Sequence, residues 1–340
     1  VIAVGNAGTC EVLIFGPDGR RLGAYGRRGR GPGEFSGSMM RVLPSNSDDV
    51  LAEDMGLQRK LIRFALDGQI DSEVMLPPGK GPSGGAKSDP ATSPAGVGFL
   101  LSEPLPNDAH HPSELTRHDA HVLRFPFSGE GRLDTVATYP GAQLFYADVG
   151  PRQAMGGGTV SGPRRISPLF QASSRLAGGG SPWRIVVGDQ MNAMIDVYDE
   201  TGQHLQRIRW PTEGRLPSAR DIELAGIKYV EARRFDRPGA LRSLDAMPSI
   251  ERMPVFDEVT IGQDNNLWIR RYSLPTDENA YWWVFAPDGK MIAVVNVPAD
   301  RMLLEAGTNY VLLRAVDDLG VERIELWPID KGESAAENQL

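Results

Sequence analysis

The sequence predicts an all-β repeat fold, a six-bladed β-propeller of four-stranded antiparallel blades, and three observations carry that prediction. First, an aromatic residue followed four positions later by glycine recurs as Phe15…Gly19, Phe64…Gly68, Phe125…Gly129, Tyr198…Gly202 and Phe285…Gly289, with a sixth, looser copy at Trp327…Gly332. Second, each copy follows a β-rich run (Val12-Leu13-Ile14, Leu61-Ile62, Val122-Leu123, Ile195 with Val197, Trp283-Val284, Ile324 with Leu326), and all but the last precede another, so each is a strand–turn–strand hairpin. Third, the markers stand 49, 61, 73, 87 and 42 residues apart, and the short intervals fit a four-stranded blade of about 40–50 residues.

The elements follow in order. Second strands are expected at 1–4, 50–52, 99–101, 184–187, 267–269 and 310–313, just before each marker hairpin. The hairpin itself supplies the third and fourth strands, the fourth at 21–25, 70–75, 133–139, 205–210 and 291–297. Innermost strands are expected at 39–43, 165–170, 255–261 and 302–305; that of the third blade has no clear signal, and the first blade has none. The longer intervals require insertions, and residues 77–94, 104–116, 154–162 and 177–181 have the Gly, Pro and polar composition of loops. Between blades four and five, at about 215–250, Ser218-x-x-Asp221 resembles a capping box, and Ile222, Leu224, Ala225, Tyr229 and Val230 recur at helical spacing. A short helical insertion is expected there, stopped near Arg237-Pro238-Gly239, either over the channel or along a blade edge.

The first blade is thus incomplete at its N-terminus and the last lacks a fourth strand. Valine stands at position 1 with a strand pattern already running, so the natural protein is expected to extend upstream by about 20–40 residues that complete both blades and close the ring. One domain over 1–332 is expected, followed by a disordered polar tail at 333–340.

Composition narrows function by exclusion. Charged residues at 24% and hydrophobic residues at 41% are ordinary for a globular chain, and no apolar run approaches the ~18 residues of a membrane span. A formal charge of −8 gives nucleic-acid binding no general electrostatic support, with only Arg27, Arg28 and Arg30 as a local basic patch. The single cysteine, Cys10, excludes an internal disulfide framework and a cysteine-rich zinc site.

Residues 1–9 (Val-Ile-Ala-Val-Gly-Asn-Ala-Gly-Thr), Leu13-Ile14-Phe15-Gly16-Pro17-Asp18-Gly19-Arg20 and the Gly/Arg-rich 26–35 together resemble the bacterial six-bladed β-propeller family related to NHL-repeat proteins. Asn265-Asn266-Leu267-Trp268-Ile269-Arg270, Val284-Phe285-Ala286-Pro287-Asp288-Gly289 and Leu319-Gly320-Val321-Glu322-Arg323 are similar to its C-terminal blades. The resemblance implies a periplasmic or secreted location. Its motifs are specific for fold rather than chemistry, because glycines and Pro-Asp-Gly turns connect strands.

In the resembled fold, loops after the second strands gather on one face around the central channel. The channel-mouth candidates are Asn6, Arg27, Arg28, Asp54, Glu103, Asp189, Arg271 and Asp317, with Glu53, Arg270 and Asp318 beside them. Convergent carboxylates there would suit a Ca²⁺ ion, whereas acidic residues that merely end strands would be scattered. His110, His111, His118 and His121 cluster in one segment and are the candidate zinc ligands, though their spacing matches no established zinc pattern. The glycine-rich 26–35 joins strand to strand, so it reads as a connector rather than a phosphate loop. Tyr281-Trp282-Trp283 offers rings for stacking or for the inter-blade core; packing is expected for Trp283, with Trp282 open. No Gly-x-Ser-x-Gly elbow or Cys–His pairing is present, which argues against covalent hydrolase chemistry. The reading that follows is a non-catalytic propeller binding a peptide, glycan or protein; the alternative is a metal-dependent hydrolase or lactonase with a cation at the channel mouth.

Overall fold

A computed structural model describes residues 1–37, 40–43, 49–56, 59–76, 91–93, 96–103, 114–126, 133–153, 159–212, 214–249 and 252–329. Among the described residues, six successive antiparallel sheets of three or more strands run along the chain. The first holds β1 (Ile2–Asn6), β2 (Glu11–Phe15) and β3 (Arg21–Tyr25). A short parallel pair, β4 (Arg27–Arg28) with β5 (Glu34–Phe35), leads to the second sheet of β6 (Met40–Leu43), β7 (Asp49–Asp54), β8 (Lys60–Ala65) and β9 (Ile70–Met75). The third comprises β10 (Ala91–Thr92), β11 (Val97–Ser102), β12 (Thr116–Pro126) and β13 (Asp134–Ala147). After a small ribbon of β14 (Arg152–Gln153) and β15 (Thr159–Val160), β16 (Arg164–Ile166) pairs with the far end of β13.

The fourth sheet is β17 (Ser174–Gly179), β18 (Arg184–Asp189), β19 (Met194–Asp199) and β20 (His204–Arg209). Two helices follow, α1 (Ala219–Glu231) and α2 (Arg237–Asp245), joined through a 3₁₀ turn at Arg234–Asp236. The fifth sheet is β21 (Phe256–Ile261), β22 (Leu267–Arg271), β23 (Asn279–Phe285) and β24 (Met291–Pro298). The sixth is β25 (Arg301–Ala306), β26 (Tyr310–Val316) and β27 (Glu322–Pro328).

The period-two alternation of strand side chains explains how the sheets stack. On β18, Ile185 and Val187 enter a cluster shared with the third sheet, while the intervening Val186 enters one shared with the fifth. On β22, Leu267 and Ile269 face the fourth sheet and Trp268 faces the sixth. Equivalent clusters join the first sheet to the second and the second to the third. Each of the four middle sheets is therefore buried on both faces along its inner strands, so β11, β18 and β22 read as near-continuous apolar runs, whereas the outermost β9, β20 and β24 are largely exposed. This succession of small antiparallel sheets, each glued to the next by its own apolar layer, is the organisation of a β-propeller. Trp282, 1% exposed, belongs to the layer between sheets five and six, and Trp283 packs against the layer between four and five. Both rings thus serve the core.

A polar tie supplements the layer between sheets three and four. Asp196, 2% exposed, accepts from the Tyr139 hydroxyl at 2.7 Å and from Arg207 through Nε and Nη2 at 2.6 and 2.9 Å. Burial pushes its carboxyl up, but the hydrogen bonds from Arg207, Tyr139 and His204 outweigh it and hold the pKa below the usual carboxylate range.

Four expectations are corrected. Residues 165–170 are not the innermost strand of the fourth sheet; that strand is β17, and Arg164–Ile166 instead extends the third sheet beyond β13. The cause lies in 177–181, which has the composition of a glycine-rich loop, yet Ala177, Gly178 and Gly179 lie in β17. A Cβ on Gly178 would stand 2.5 Å from the Ala91 Cβ and 2.6 Å from the Trp183 ring, so glycine here marks close approach of inner strands. Likewise 77–94 is not loop throughout, since Ala91–Thr92 forms β10, the inner strand of the third sheet that has no clear sequence signal. Finally, Pro238-Gly239 does not stop a helix but starts one, because proline fits the first turn of α2, where its missing N–H costs nothing. The 333–340 tail lies outside the described residues.

Candidate ligand-binding cleft

Six of the eight channel-mouth candidates occupy equivalent positions, whereas Arg27 and Arg28 form β4. Asn6, Asp54, Asp189 and Arg271 are the last residues of β1, β7, β18 and β22, and Glu103 and Asp317 directly follow β11 and β26. Each carboxylate is engaged by donors of its own neighbourhood. Asp54 accepts from the Ser36 N–H at 2.8 Å and its hydroxyl at 2.7 Å; Asp317 accepts from the Leu319 and Val321 N–H groups and from Arg323. Asn6 caps its own turn through Gly8, Arg27 pairs with Glu34 at 2.7 Å, and Arg28 donates to the Gly8 carbonyl. Glu53, fully buried, is clasped by Arg41 and Arg59.

Glu103 and Asp189 are brought into one network. Glu103 accepts from the Ala142 N–H at 3.0 Å and the Ser173 hydroxyl at 3.3 Å, and the Ser173 N–H donates to Gln190 next to Asp189. Asp189 pairs with Arg117 at 2.7 Å and accepts from the Met191 N–H at 3.2 Å. Among the described residues, no three His, Cys, Asp or Glu side chains are grouped so as to hold a metal ion. Of the histidine candidates, His118 sits at a β-bulge of β12 and His121 contacts the Thr138 hydroxyl at 3.1 Å; His110 and His111 lie outside the described residues.

A large concavity lies beside this network, beneath the helices. It measures about 1640 Å³. Ile222, Gly226 and Val230 form one row along α1, with Glu223, Ile227 and Glu231 as the next, and Leu241 and Leu244 of α2 with Met247 face them. Its floor comes from Gln143 of β13 and from loops that flank the strands: Leu115, Pro168, Leu169, Phe170 and Met191. The network described above therefore braces the floor, since Asp189 holds the Met191 N–H, Arg252 donates to the Met191 carbonyl at 2.8 Å, and the Gln143 side chain accepts from Ala172. Phe170 has φ of 52°, a left-handed backbone that is costly for a bulky side chain, and its ring meets Tyr272 edge-on at 6.4 Å.

The first helix starts where the sequence says it should. Ser218 accepts from the Asp221 N–H while Asp221 accepts from the Ser218 N–H, a complete capping box. What is unusual is what α1 buries. The only buried residue of its thirteen is Asp221; Ile222 and Ile227 remain 41% and 46% exposed, as does Leu241 of α2 at 48%. An amphipathic helix ordinarily turns its apolar stripe into a core, and here that stripe lines an open cavity.

Polar pins at the ends of the hairpin hold it in place. On the fifth-sheet side, Thr276 donates to Asp221 through its N–H at 3.1 Å and its hydroxyl at 2.7 Å, and Arg215 pairs bidentately with Asp277. On the third-sheet side, Arg164 of β16 pairs with Asp236 at 2.8 Å, and Arg242 donates to the Val149 carbonyl. The hairpin thus bridges sheets three and five above the fourth. Burial pushes the Asp221 carboxyl up, yet the hydrogen bonds from Ser218 and Thr276 prevail and bring it down to about 2. Arg271 lies beside the Arg215 pin, stacked 4.1 Å over the Tyr281 ring; desolvation and the nearby Arg215 charge lower its pKa.

No family model matches the chain, and no curated protein matches it. Among solved structures it is similar to the β-propeller domain of Cps50 (Swd1) from Myceliophteria thermophila, at 11% identity over 96% of this chain and 93% of that one, with a TM-score of 0.38. BamB from Moraxella catarrhalis shares 11% identity over 96% and 81% of the two chains with a TM-score of 0.34. Kluyveromyces lactis Hsv2 shares 8% over 94% and 92%, also with a TM-score of 0.34. At such scores the fold reading stands on the sheet order and the inter-sheet layers alone. No helix among the described residues is long and apolar enough to cross a membrane.

Proposed function

We propose that this protein is a non-catalytic binding propeller whose ligand occupies the cleft between the helical hairpin and the sheet loops. One observation carries the reading: two helices keep their apolar side chains accessible around about 1640 Å³ of space while polar pins hold them in place. Burying apolar area on a ligand is worth about 25 cal/mol per Å², so such a stripe is a ready source of affinity. The six-bladed closed ring, kinship with NHL-repeat proteins and a periplasmic or secreted location belong to the same proposal and rest on the repeat count and the sequence resemblance. Six-fold class averages by electron microscopy, and fractionation of the source cells with an antibody to the chain, test them.

The cleft itself is tested with the apolar dye 1-anilinonaphthalene-8-sulfonate. Saturable binding by the native protein that weakens in both Ile227→Asp and Leu241→Asp supports the reading; identical binding by all three proteins rejects it. A metal-dependent hydrolase instead requires a bound ion. Metal analysis of protein purified without chelator decides that: about one calcium or zinc per chain, lost in Asp54→Asn or Asp189→Asn, would favour the hydrolase.

A further inference from the structure

We propose that the turn joining α1 to α2 docks on an anionic lipid surface, with the Phe235 ring entering the headgroup layer and the surrounding arginines meeting the phosphates. Phe235 lies on the 3₁₀ turn Arg234–Asp236 and is 94% exposed, the highest value for a large apolar side chain among the described residues. One exposed apolar residue means little by itself, and its neighbours decide what it can meet. Leu319, 89% exposed, stands beside Asp317 and Asp318, which an anionic surface would repel. Phe235 stands instead within Arg233-Arg234-Phe235-Asp236-Arg237, and Arg233 and Arg237 are both exposed.

The charge of the tip is positive when every neighbour is counted. Residues 228–242 hold five basic residues (Lys228, Arg233, Arg234, Arg237, Arg242) against Glu231 and Asp236, a formal charge of +3 on a chain whose total is −8. From outside that segment, Arg164 pairs with Asp236 at 2.8 Å, Asp148 adjoins the Val149 carbonyl that Arg242 contacts, and Glu114 shares the cleft rim with Arg237; with these three charges added the tip keeps +2. Arg233 stacks 3.6 Å from the Tyr229 ring centroid and donates to the Tyr229 carbonyl at 3.2 Å, contacts that orient the guanidinium at the turn and leave its charge intact. Guanidinium matches phosphate bidentately, and an aromatic ring settles at the boundary between headgroups and acyl chains. A duplex nucleic acid would use the cations and leave the ring in water, so the two features together select a membrane surface.

The test is flotation of the full chain with vesicles of phosphatidylcholine alone and of phosphatidylcholine containing about one-third phosphatidylglycerol, at low ionic strength. The expected outcome is flotation with the anionic vesicles only, declining as salt is added. Arg233→Gln should weaken it roughly fivefold, the contribution of one arginine near such a surface. Phe235→Ser should weaken it at least as much at unchanged melting temperature, because the ring supports nothing in the fold, and Phe235→Leu should retain most of the binding. Equal flotation with both vesicle types, flotation with neither, or anionic flotation unchanged in Arg233→Gln or in Phe235→Ser overturns the proposal. Retention of the chain by a DNA duplex but by no vesicle also overturns it and assigns the arginines to nucleic acid. Phe235 does not line the cleft, so this assay and the dye assay of the cleft can fail separately.

Discussion

Asp221 does two jobs with one carboxylate: it closes the capping box of α1 and anchors that helix to Thr276 of the fifth sheet. Asp221→Ala should therefore cost about 1–2 kcal/mol, a cap plus a buried hydrogen bond, read as faster amide exchange through α1 with little change in the sheets. The pH dependence has a fixed sign. Because the folded pKa is brought down to about 2, the pin contributes fully above the ordinary carboxylate value of about 3.9 and is lost as pH falls from about 4 toward 2. Exchange in α1 measured over that range should accelerate in the wild type and stay flat in Asp221→Ala. Gly178 makes the opposite point, that a missing side chain can matter: Gly178→Ala would drive a methyl to 2.5 Å from Ala91 and should lower stability by about 1–3 kcal/mol in a denaturant melt.

Strands are legible where their chemistry is local. β3 and β9 span Arg21–Tyr25 and Ile70–Met75 as expected, because a marker glycine with positive φ (77° at Gly19, 87° at Gly68) fixes where each begins. The second strands are also visible, since burial on both faces leaves an unbroken apolar run. The inner strand β17 is illegible because its glycines answer to neighbours in other sheets, a long-range cause with no local mark. Positions after the second strands can be found, but their partners cannot: nothing local says that Arg117 reaches Asp189, seventy-two residues away. The helix α1 is readable from Ser218 and Asp221, yet the cleft is not, because the floor residues Phe170 and Met191 come from loops without pattern. Between sheets four and five, Trp210 lies 5.4 Å from Phe285, 6.2 Å from Phe256 and 5.7 Å from Trp283. Trp210→Ala should cost about 3–5 kcal/mol in the same denaturant melt and is the most damaging single truncation expected in that layer.

At the scale of the molecule, one thiol can serve as a gauge of the first two sheets. Cys10 is fully buried in the layer they share, so a thiol reagent should modify it only at the rate at which that layer opens, and stoichiometrically in denaturant. Rapid modification of the native protein would show that the layer is loose. The helical hairpin has a different sensitivity. Two of its four attachments are partly solvated ion pairs, Arg215 with Asp277 and Arg164 with Asp236, while the layers between the sheets are mainly apolar. Dissolved salt screens the first and leaves the second untouched or slightly strengthened. Raising ionic strength should therefore quicken the opening of the strap, and with it ligand exchange, at unchanged melting temperature, so that the medium around the protein sets how long a bound partner stays.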